Sequence, residues 1–525
     1  MRISSNTIYD MGVAGMQRQT SDLIKTQQQI SANRRILTPS DDPVAAAKVL
    51  EVSQSSSLNK QFDTNTGSAS SKLGLQDSIL NSVGLLIQNV QTTAVYAGNG
   101  GLNNADRGSL AQELRSNYQE LMGLVNSTDD TGQYMFSGYK GATRPFGETA
   151  PGTVVYSGDE GQRLIQISPS RQIPVSDSGA SVFQQIKNGN GTFVSRAITT
   201  NTGAGIIDPG TVVDPAKWVA SNKDYTLRFA ANTTVTAGTT NAVTDQVTGG
   251  IVDQAAWNAS SKSLQITVAA GAAPGTFDYT ITDATLGSYV VNYAPATQNP
   301  LTVKLNGSGG TFNAGIDLVL SGTAPAALDT FVVKPSATPG WTYDIIDNTT
   351  NTSLLSSSAS SWSSSWRTYT SGQTIPLTGP GFDAGISTKI DGNPAAGDTF
   401  TIKASQNEDI FTTLHNLITA LETGVSSPES SARYTNELNL AMSSFNNGQT
   451  NVLKVRASVG AHMREVESVK NTGEELQLQY QQTLSNLQDL DYAKAITDLT
   501  RQKTALEAAQ QSFVKISGLS LFSYM

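Results

Sequence analysis

Side chains able to do covalent or acid–base chemistry are sparse in this 525-residue chain, which holds two histidines and no cysteine. Aspartate pairs occur at Asp41-Asp42, Asp129-Asp130 and Asp489-x-Asp491. Paired carboxylates can cleave a glycosidic bond when both face one cleft. The first two pairs, however, sit among Pro, Ser, Thr and Gly, where aspartate bonds nearby backbone in turns and helix caps. His415 and His462 lie in amphipathic stretches, and a lone histidine cannot hold a metal. No H-E-x-x-H, G-x-S-x-G or G-x-x-x-x-G-K-[ST] run occurs. The expectation is a chain with no catalytic, cofactor or metal site, and not an enzyme.

Composition narrows the alternatives further. A net charge of -9 without any basic block removes the electrostatic footprint of a nucleic-acid or anionic-membrane binder. Without cysteine there is neither a disulfide framework nor a thiolate metal site. The first residues lack the apolar core of a secretory signal, and no apolar run is long enough for a transmembrane helix. Those features alone suggest a cytoplasmic protein. The length suffices for several domains with cores of their own.

What the chain does have is helical periodicity at both ends. From Leu438 to Leu490 a 3,4-spaced seam holds its phase through Phe445, Gly448, Val452, Val459, His462, Val466, Gly473, Leu476 and Leu487. That is the heptad signature of a helix needing a partner, roughly 80 Å long at 1.5 Å per residue. Gly448 and Gly473 each weaken a helix by about 1 kcal/mol, so a start after the first or a bend at the second is expected. Beyond Asp489-Leu490-Asp491 the stripe restarts out of phase as Tyr492, Ile496, Leu499, Lys503, Leu506, Gln510 and Phe513. At the other end Met16, Leu23, Ile30 and Leu37 recur every seven residues, a narrow stripe that stops at Thr38-Pro39. Asp42-Pro43 then caps a second helix, with a seam from Leu58 through Phe62, Ala69, Ile79, Val83 and Val90 to Ala97. A third follows Gly98-Asn99-Gly100-Gly101 and carries Leu110, Leu114, Tyr118, Leu121 and Val125.

Between Gln133 and Lys403 short alternating runs separated by Gly, Pro and Asn indicate an all-β insert. It contains a duplication. Phe312-Asn-Ala-Gly-Ile316 recurs as Phe382-Asp-Ala-Gly-Ile386, Pro325 to Lys334 recurs as Pro394 to Lys403, and Tyr279 to Asp283 echoes Tyr343 to Asp347. The predicted fold class is α+β multidomain: a long coiled-coil-like helical bundle built from both termini, with a central all-β insert. Its expected partition is 1–40 with 489–525, 41–145 with 405–488, and 146–404, with repeated modules at about 275–335 and 340–404 and an exposed loop at Ser356 to Ser365. Trp218, Trp257, Trp341, Trp362 and Trp366 lie in the insert, where core packing competes with carbohydrate stacking.

The two terminal stripes are too thin to order more than 60 residues by themselves, so the ends of a free monomer should be loose and should order on assembly. Several motifs in order at both ends carry a family resemblance. They are Met1-Arg2-Ile3-Ser4, Arg35-Ile-Leu-Thr-Pro-Ser-Asp-Asp-Pro-Val-Ala-Ala46, Tyr96-Ala-Gly-Asn-Gly with Asp106-Arg107, and Gly132-Gln-Tyr-Met-Phe-Ser-Gly-Tyr139. Asp489-Leu-Asp-Tyr-Ala493 and Ser520-Leu-Phe522 complete the set. Together they resemble the flagellin superfamily, over about residues 1–146 and 405–525, and within it the hook–filament junction branch.

That resemblance implies a secreted axial protein of the bacterial flagellum, exported through the flagellar type III apparatus, which revises the cytoplasmic expectation. It implies a ring of about eleven copies between the first hook-associated protein and flagellin, and a cytoplasmic export chaperone. The assembly interface is expected at Met16, Leu23, Ile30, Leu37, Tyr492, Ile496, Leu499, Leu506, Phe513, Leu521 and Phe522. A flagellin filament subunit, or a surface or glycan-binding protein using the β insert, are the alternatives. Residues 200–404 depart from the family in length and in their duplication, so no role of theirs is implied.

Overall fold

The structure is a computed structural model that describes residues 5–239, 241, 246–298, 301–305, 312–321, 329–336, 340–355 and 366–518. Met1 to Ser4, part of the repeated motif at 322–328, the expected loop at 356–365 with Trp362, and the interface candidates Leu521 and Phe522 lie outside the described residues. The helices are α1 (Ser5–Ala32), α2 (Pro43–Ala97), α3 (Asn104–Val125), α4 (Pro215–Ala220), α5 (Gln254–Ala259), α6 (Pro295–Gln298), α7 (Ile410–Thr423), α8 (Pro428–Gln488) and α9 (Tyr492–Gly518). The chain divides into two units.

One unit comprises residues 1–74, 164–175 and 460–525. Here α2 and α8 meet along Ala45, Val52, Ser56, Ala69 and Leu73 on one side and Val466 on the other, all buried. The seam is small and polar, so side-chain amides cross it: Asn59 Nδ2 donates to the Gly473 carbonyl at 2.7 Å, and Gln477 Nε2 donates to Ser56 Oγ at 3.0 Å. Two seam expectations fail at this point. Leu58 is 48% exposed and Leu476 37% exposed, because Ser56, Asn59 and Gln477 hold the inward positions by hydrogen bonding. A hairpin of strands Leu164–Ser168 and Arg171–Pro174 packs on the same helices, with Asn65 Nδ2 donating to the Gln166 carbonyl and Arg171 paired with Glu465.

The other unit comprises residues 75–163 and 176–459. Its part of α2 buries two adjacent faces, Ile79, Val83, Leu86 and Val90 together with Leu80, Ile87 and Ala94. On α8 the seam residues Leu438, Ala441, Phe445, Val452 and Val459 are buried, as the heptad spacing requires. Arg456 Nε and Asp77 Oδ1 pair at 3.0 Å beside it. The expected start after Gly448 does not occur, since α8 runs as one helix from Pro428 to Gln488. Gly448 is buried beside Ile410 and Ile186, and packing of that kind outweighs a propensity cost of about 1 kcal/mol. Asn436, Asn447 and Asn451 project from α8 onto backbone carbonyls of Gly205, Gly189 and Val182, fastening the first β segment to the helix.

The duplication is visible in three dimensions and draws in segments that precede both matched stretches. Asp253-Gln-Ala-Ala-Trp257 opens α5 and Asp214-Pro-Ala-Lys-Trp218 opens α4, each aspartate capping its helix. Gly315 and Gly385 sit at φ +66 and +68, where a Cβ would lie 2.2 Å from the Asp253 or Asp214 carbonyl oxygen. Strand Leu264–Ala270 pairs with Phe277–Asp283 and Thr330–Pro335. Correspondingly, Asp224–Ala237 pairs with Trp341–Asp347 and Thr399–Ala404. One repeat is therefore contiguous and sits inside the other, between its strands Asp224–Ala237 and Trp341–Asp347. That nesting hides the upstream segment from a comparison of adjacent stretches.

Each repeat has its own core. Trp257, Tyr279, Leu318 and Phe331 centre the inner one, and Trp218, Phe229, Ile386 and Phe400 the outer one. Trp341 packs against both, while buried Trp218 and Trp257 offer no face for carbohydrate.

Candidate assembly interface

The terminal helices α1 and α9 pack against each other, which the two stripes anticipate. Met16, Leu23 and Ile30 are half-buried, with Gln19 and Thr26 filling the intervening heptad positions. Thr26 tolerates burial because its Oγ1 donates to the Asp22 carbonyl at 3.0 Å. Opposite them, α9 turns inward Ala495, Leu499, Gln502, Leu506, Ala509 and Phe513.

The expected phase of that second stripe is thus partly wrong. Tyr492 is 46% exposed and Ile496 54% exposed, and Lys503 and Gln510 are also exposed. Small residues take the seam instead because the two backbones approach closely. Phe513 lies over Gly12, where a Cβ would come within 2.9 Å of its ring, and 5.1 Å from the ring centre of Tyr9. Alanine spacing was the available signal, but it is a weaker one than isoleucine or tyrosine.

Within this thin seam the side-chain carbonyls of Gln19 and Gln502 are buried without a donor among the described residues. An unmet buried acceptor costs about 1–3 kcal/mol. Gln502→Leu should therefore strengthen the pair by about that amount. Slower amide exchange along α9, with α3 unchanged, is the expected reading; unchanged exchange in α9 would refute it.

Both helix pairs turn at one polar node. Asn33 ends α1 at φ +53, a left-handed position that asparagine tolerates. The Arg35 backbone N–H donates to the Gln488 carbonyl at 2.7 Å and its guanidinium to the Leu487 carbonyl at 2.9 Å, meeting the last orphan carbonyls of α8. The same guanidinium reaches Asp42 Oδ2 at 3.2 Å. Asp42 Oδ1 accepts the Ala45 N–H at 3.0 Å as the cap of α2, and that bond is the main reason its pKa is lowered.

Asp41 is lowered further, first by Lys25 at 2.8 Å and then by the Thr38 N–H, with Leu37 N–H adding to it. Leu37 itself is half-buried at this node. Asp491 Oδ1 accepts the Lys494 N–H at 3.1 Å to cap α9, and Asp489 bridges to Arg34 through backbone. Asp129 similarly accepts from Thr131 and Gln133 in a turn. All three acidic pairs thus contribute carboxylates or backbone to caps and turns.

The remaining motifs have equally local reasons. Asn103 and Asp106 form a capping box on α3. One turn on, the buried Arg107 guanidinium lies 5.0 Å from the ring centre of Tyr434, whose hydroxyl donates to the Ala97 carbonyl at the end of α2. In Gly132 to Tyr139, Met135 and Phe136 are fully buried, and the Tyr139 N–H donates to Asp159 Oδ1. His415 faces an open groove shared with Arg115, Tyr118, Arg144, Glu148 and Glu422. His462 is half-buried on α8.

Residues 3–141 match the bacterial flagellin N-terminal helical region, and residues 442–525 match the bacterial flagellin C-terminal helical region. Over 186 residues, 35% of this chain, the sequence is 37% identical to flagellar hook-associated protein 3 of Salmonella typhimurium. It is 34% identical to the Escherichia coli protein of the same name over the same length. The chain spans 58% of the length of each of these relatives. Among solved structures, flagellar hook associated protein-3 from Legionella pneumophila is similar in fold, with a TM-score of 0.56 at 21% identity, covering 84% of this chain and 98% of that one. At its two ends, in order, this chain is thus similar to the N-terminal and C-terminal helical regions of bacterial flagellin, and its terminal helices α1 and α9 pack on each other.

Proposed function

We propose that this protein is a structural adaptor of the bacterial flagellum, joining a hook-associated protein to the flagellin filament. The observation that carries this reading is the 37% identity over 186 residues to a flagellar hook-associated protein 3. The exposed side chains of Tyr9, Met11, Ile24, Tyr492, Ile496 and Val514 on α1 and α9 support it, because they give the terminal pair apolar surface for neighbouring copies. In this reading about eleven copies form one ring, and each neighbour contact is heterologous. The chain leaves the cell by flagellar export, held beforehand by a chaperone on its C-terminal helix. Met16, Leu23, Ile30, Leu37, Leu499, Leu506 and Phe513 then order the pair that neighbours pack against.

Deleting the encoding gene should leave cells with hooks that shed flagellin monomers into the medium. Full-length filaments on such cells would overturn the reading. An antibody to residues 200–404 distinguishes the filament-subunit alternative: labelling at the hook boundary supports the adaptor, and labelling along the filament supports flagellin.

A further inference from the structure

The strand Gly287–Tyr293 lies at one end of the large sheet of the inner repeat. Among the described residues it pairs only with Phe277–Asp283, in an unbroken antiparallel register from Phe277 opposite Tyr293 to Asp283 opposite Gly287. Among the described residues no strand pairs with its far side, which makes that edge a template for another strand. Sheets usually blunt such an edge with lysine, proline, a bulge or a very short strand. Gly-Ser-Tyr-Val-Val-Asn-Tyr has none of these. The outer repeat does use them: there Trp341–Asp347, the equivalent of Phe277–Asp283, is flanked by Thr352–Ser353 and the arginine-bearing Arg367–Tyr369, both very short. The two repeats share a framework and differ in how they treat this edge.

We propose that this edge pairs antiparallel with the same strand of a second copy, about a two-fold axis through Val290. The strand is self-complementary in that register. Val290 faces Val290, Tyr289 faces Val291, and Ser288 faces Asn292, so apolar meets apolar and polar meets polar. The faces also agree. Tyr293 is buried, Val291 packs on the inner core and Tyr289 stacks on Phe312 at 5.9 Å, whereas Val290, on the opposite face, is 56% exposed. A two-fold pair would continue both the sheet and its apolar face.

The self-complementary register favours a second copy, and the absence of charge on the strand permits it while disfavouring a charged peptide. Two chains of net charge -9 repel over most of their surfaces, and this strand carries no charged residue. The adjacent carboxylate, Asp278, already accepts from Asn292 Nδ2 at 2.9 Å. An acidic or basic peptide would find no countercharge there, while a second copy brings none. Because the contact is isologous, it joins chains that are not neighbours within one ring, and it forms between free chains. It holds whether or not the flagellar reading does.

The absence of cysteine makes a direct test possible in the full chain. In the paired state the two Val290 Cβ atoms stand about 5 Å apart, close to disulfide reach. Val290→Cys treated with diamide, which takes up the two electrons and two protons as the S–S bond forms, should give a covalent dimer. At about 10 µM chain the rate should exceed that of Val219→Cys, a somewhat more exposed control on α4, by about a hundredfold, the gain from millimolar effective concentration. Equal rates would overturn the proposal. In sedimentation the unmodified chain should show a concentration-dependent dimer that Val290→Lys, a fold-compatible edge charge, removes. A wild-type monomer, or a dimer that survives Val290→Lys, would equally overturn it.

Discussion

Replacing Asp317 by serine should make the protein more stable at neutral pH, by about 3 kcal/mol, and remove part of its acid stabilisation. Asp317 lies in strand Ile316–Ser321 between Gly250 and Lys304, with both carboxylate oxygens buried and no donor among the described residues. Burial pushes its pKa up to about 6, although Arg228 and Lys304 pull the other way. A carboxyl whose folded pKa lies above its ordinary value of 3.8 destabilises the fold wherever it is ionised. Stability should therefore fall as pH rises from about 4 to about 6 and stay lower above that.

Asp344 behaves in the same direction, also to about 6 and mainly through burial, and stands opposite Arg228 in the sheet register. Arg228 thus retains a carboxylate when Asp317 is removed. Serine is the replacement the molecule itself uses: the outer repeat has Ser387 at this position, its hydroxyl 2.9 Å from that of Thr211. Urea unfolding at pH 7 and pH 4 checks the prediction. A variant no more stable than wild type at pH 7, or a difference that persists at pH 4, would show that the buried charge is not the cause.

Trp257→Ala should cost about 3–5 kcal/mol and should act on the inner repeat alone. The indole is buried in that repeat's core with Tyr279, Phe312 and Phe331, while the outer repeat is built round Trp218, Phe229 and Phe400. Few groups join the two cores, chiefly Trp341. Limited proteolysis should cut first within 246–335, leaving strand Trp341–Asp347, its partners and the helices protected. Uniform loss of protection would mean that the cores unfold together. The same variant separates packing from glycan stacking, because a side chain buried to this degree alters stability before any surface affinity.

The helices were legible in the sequence wherever spacing and capping agreed. Asp42-Pro43 and Asp491 mark starts that the side chains do cap, and Leu438, Phe445, Val452, Val459 and Val466 keep their heptad places. Legibility failed where small or polar residues occupy the seam. Hydrophobicity favours Leu58, Leu476, Tyr492 and Ile496, yet hydrogen bonds across the seam select Ser56 and Gln477, and the close approach of α1 and α9 selects Ala495 and Gln502. A side chain's size cannot be weighed before the distance between helices is known.

The sequence alone determined the arrangement of helices from both ends around a β insert, the pairing of α1 with α9, and a family resemblance through motifs whose roles are largely local caps and turns. These features depend on residue type at short range, which a linear reading retains. Tertiary structure alone decided that one β repeat is nested in the other, that Trp218 and Trp257 are core, and that Asp317 is buried without a donor among the described residues. It also decided which faces of α1 and α9 meet. Each of these depends on which distant strands and helices come together, and burial and unmet hydrogen bonds acquire meaning only in that company.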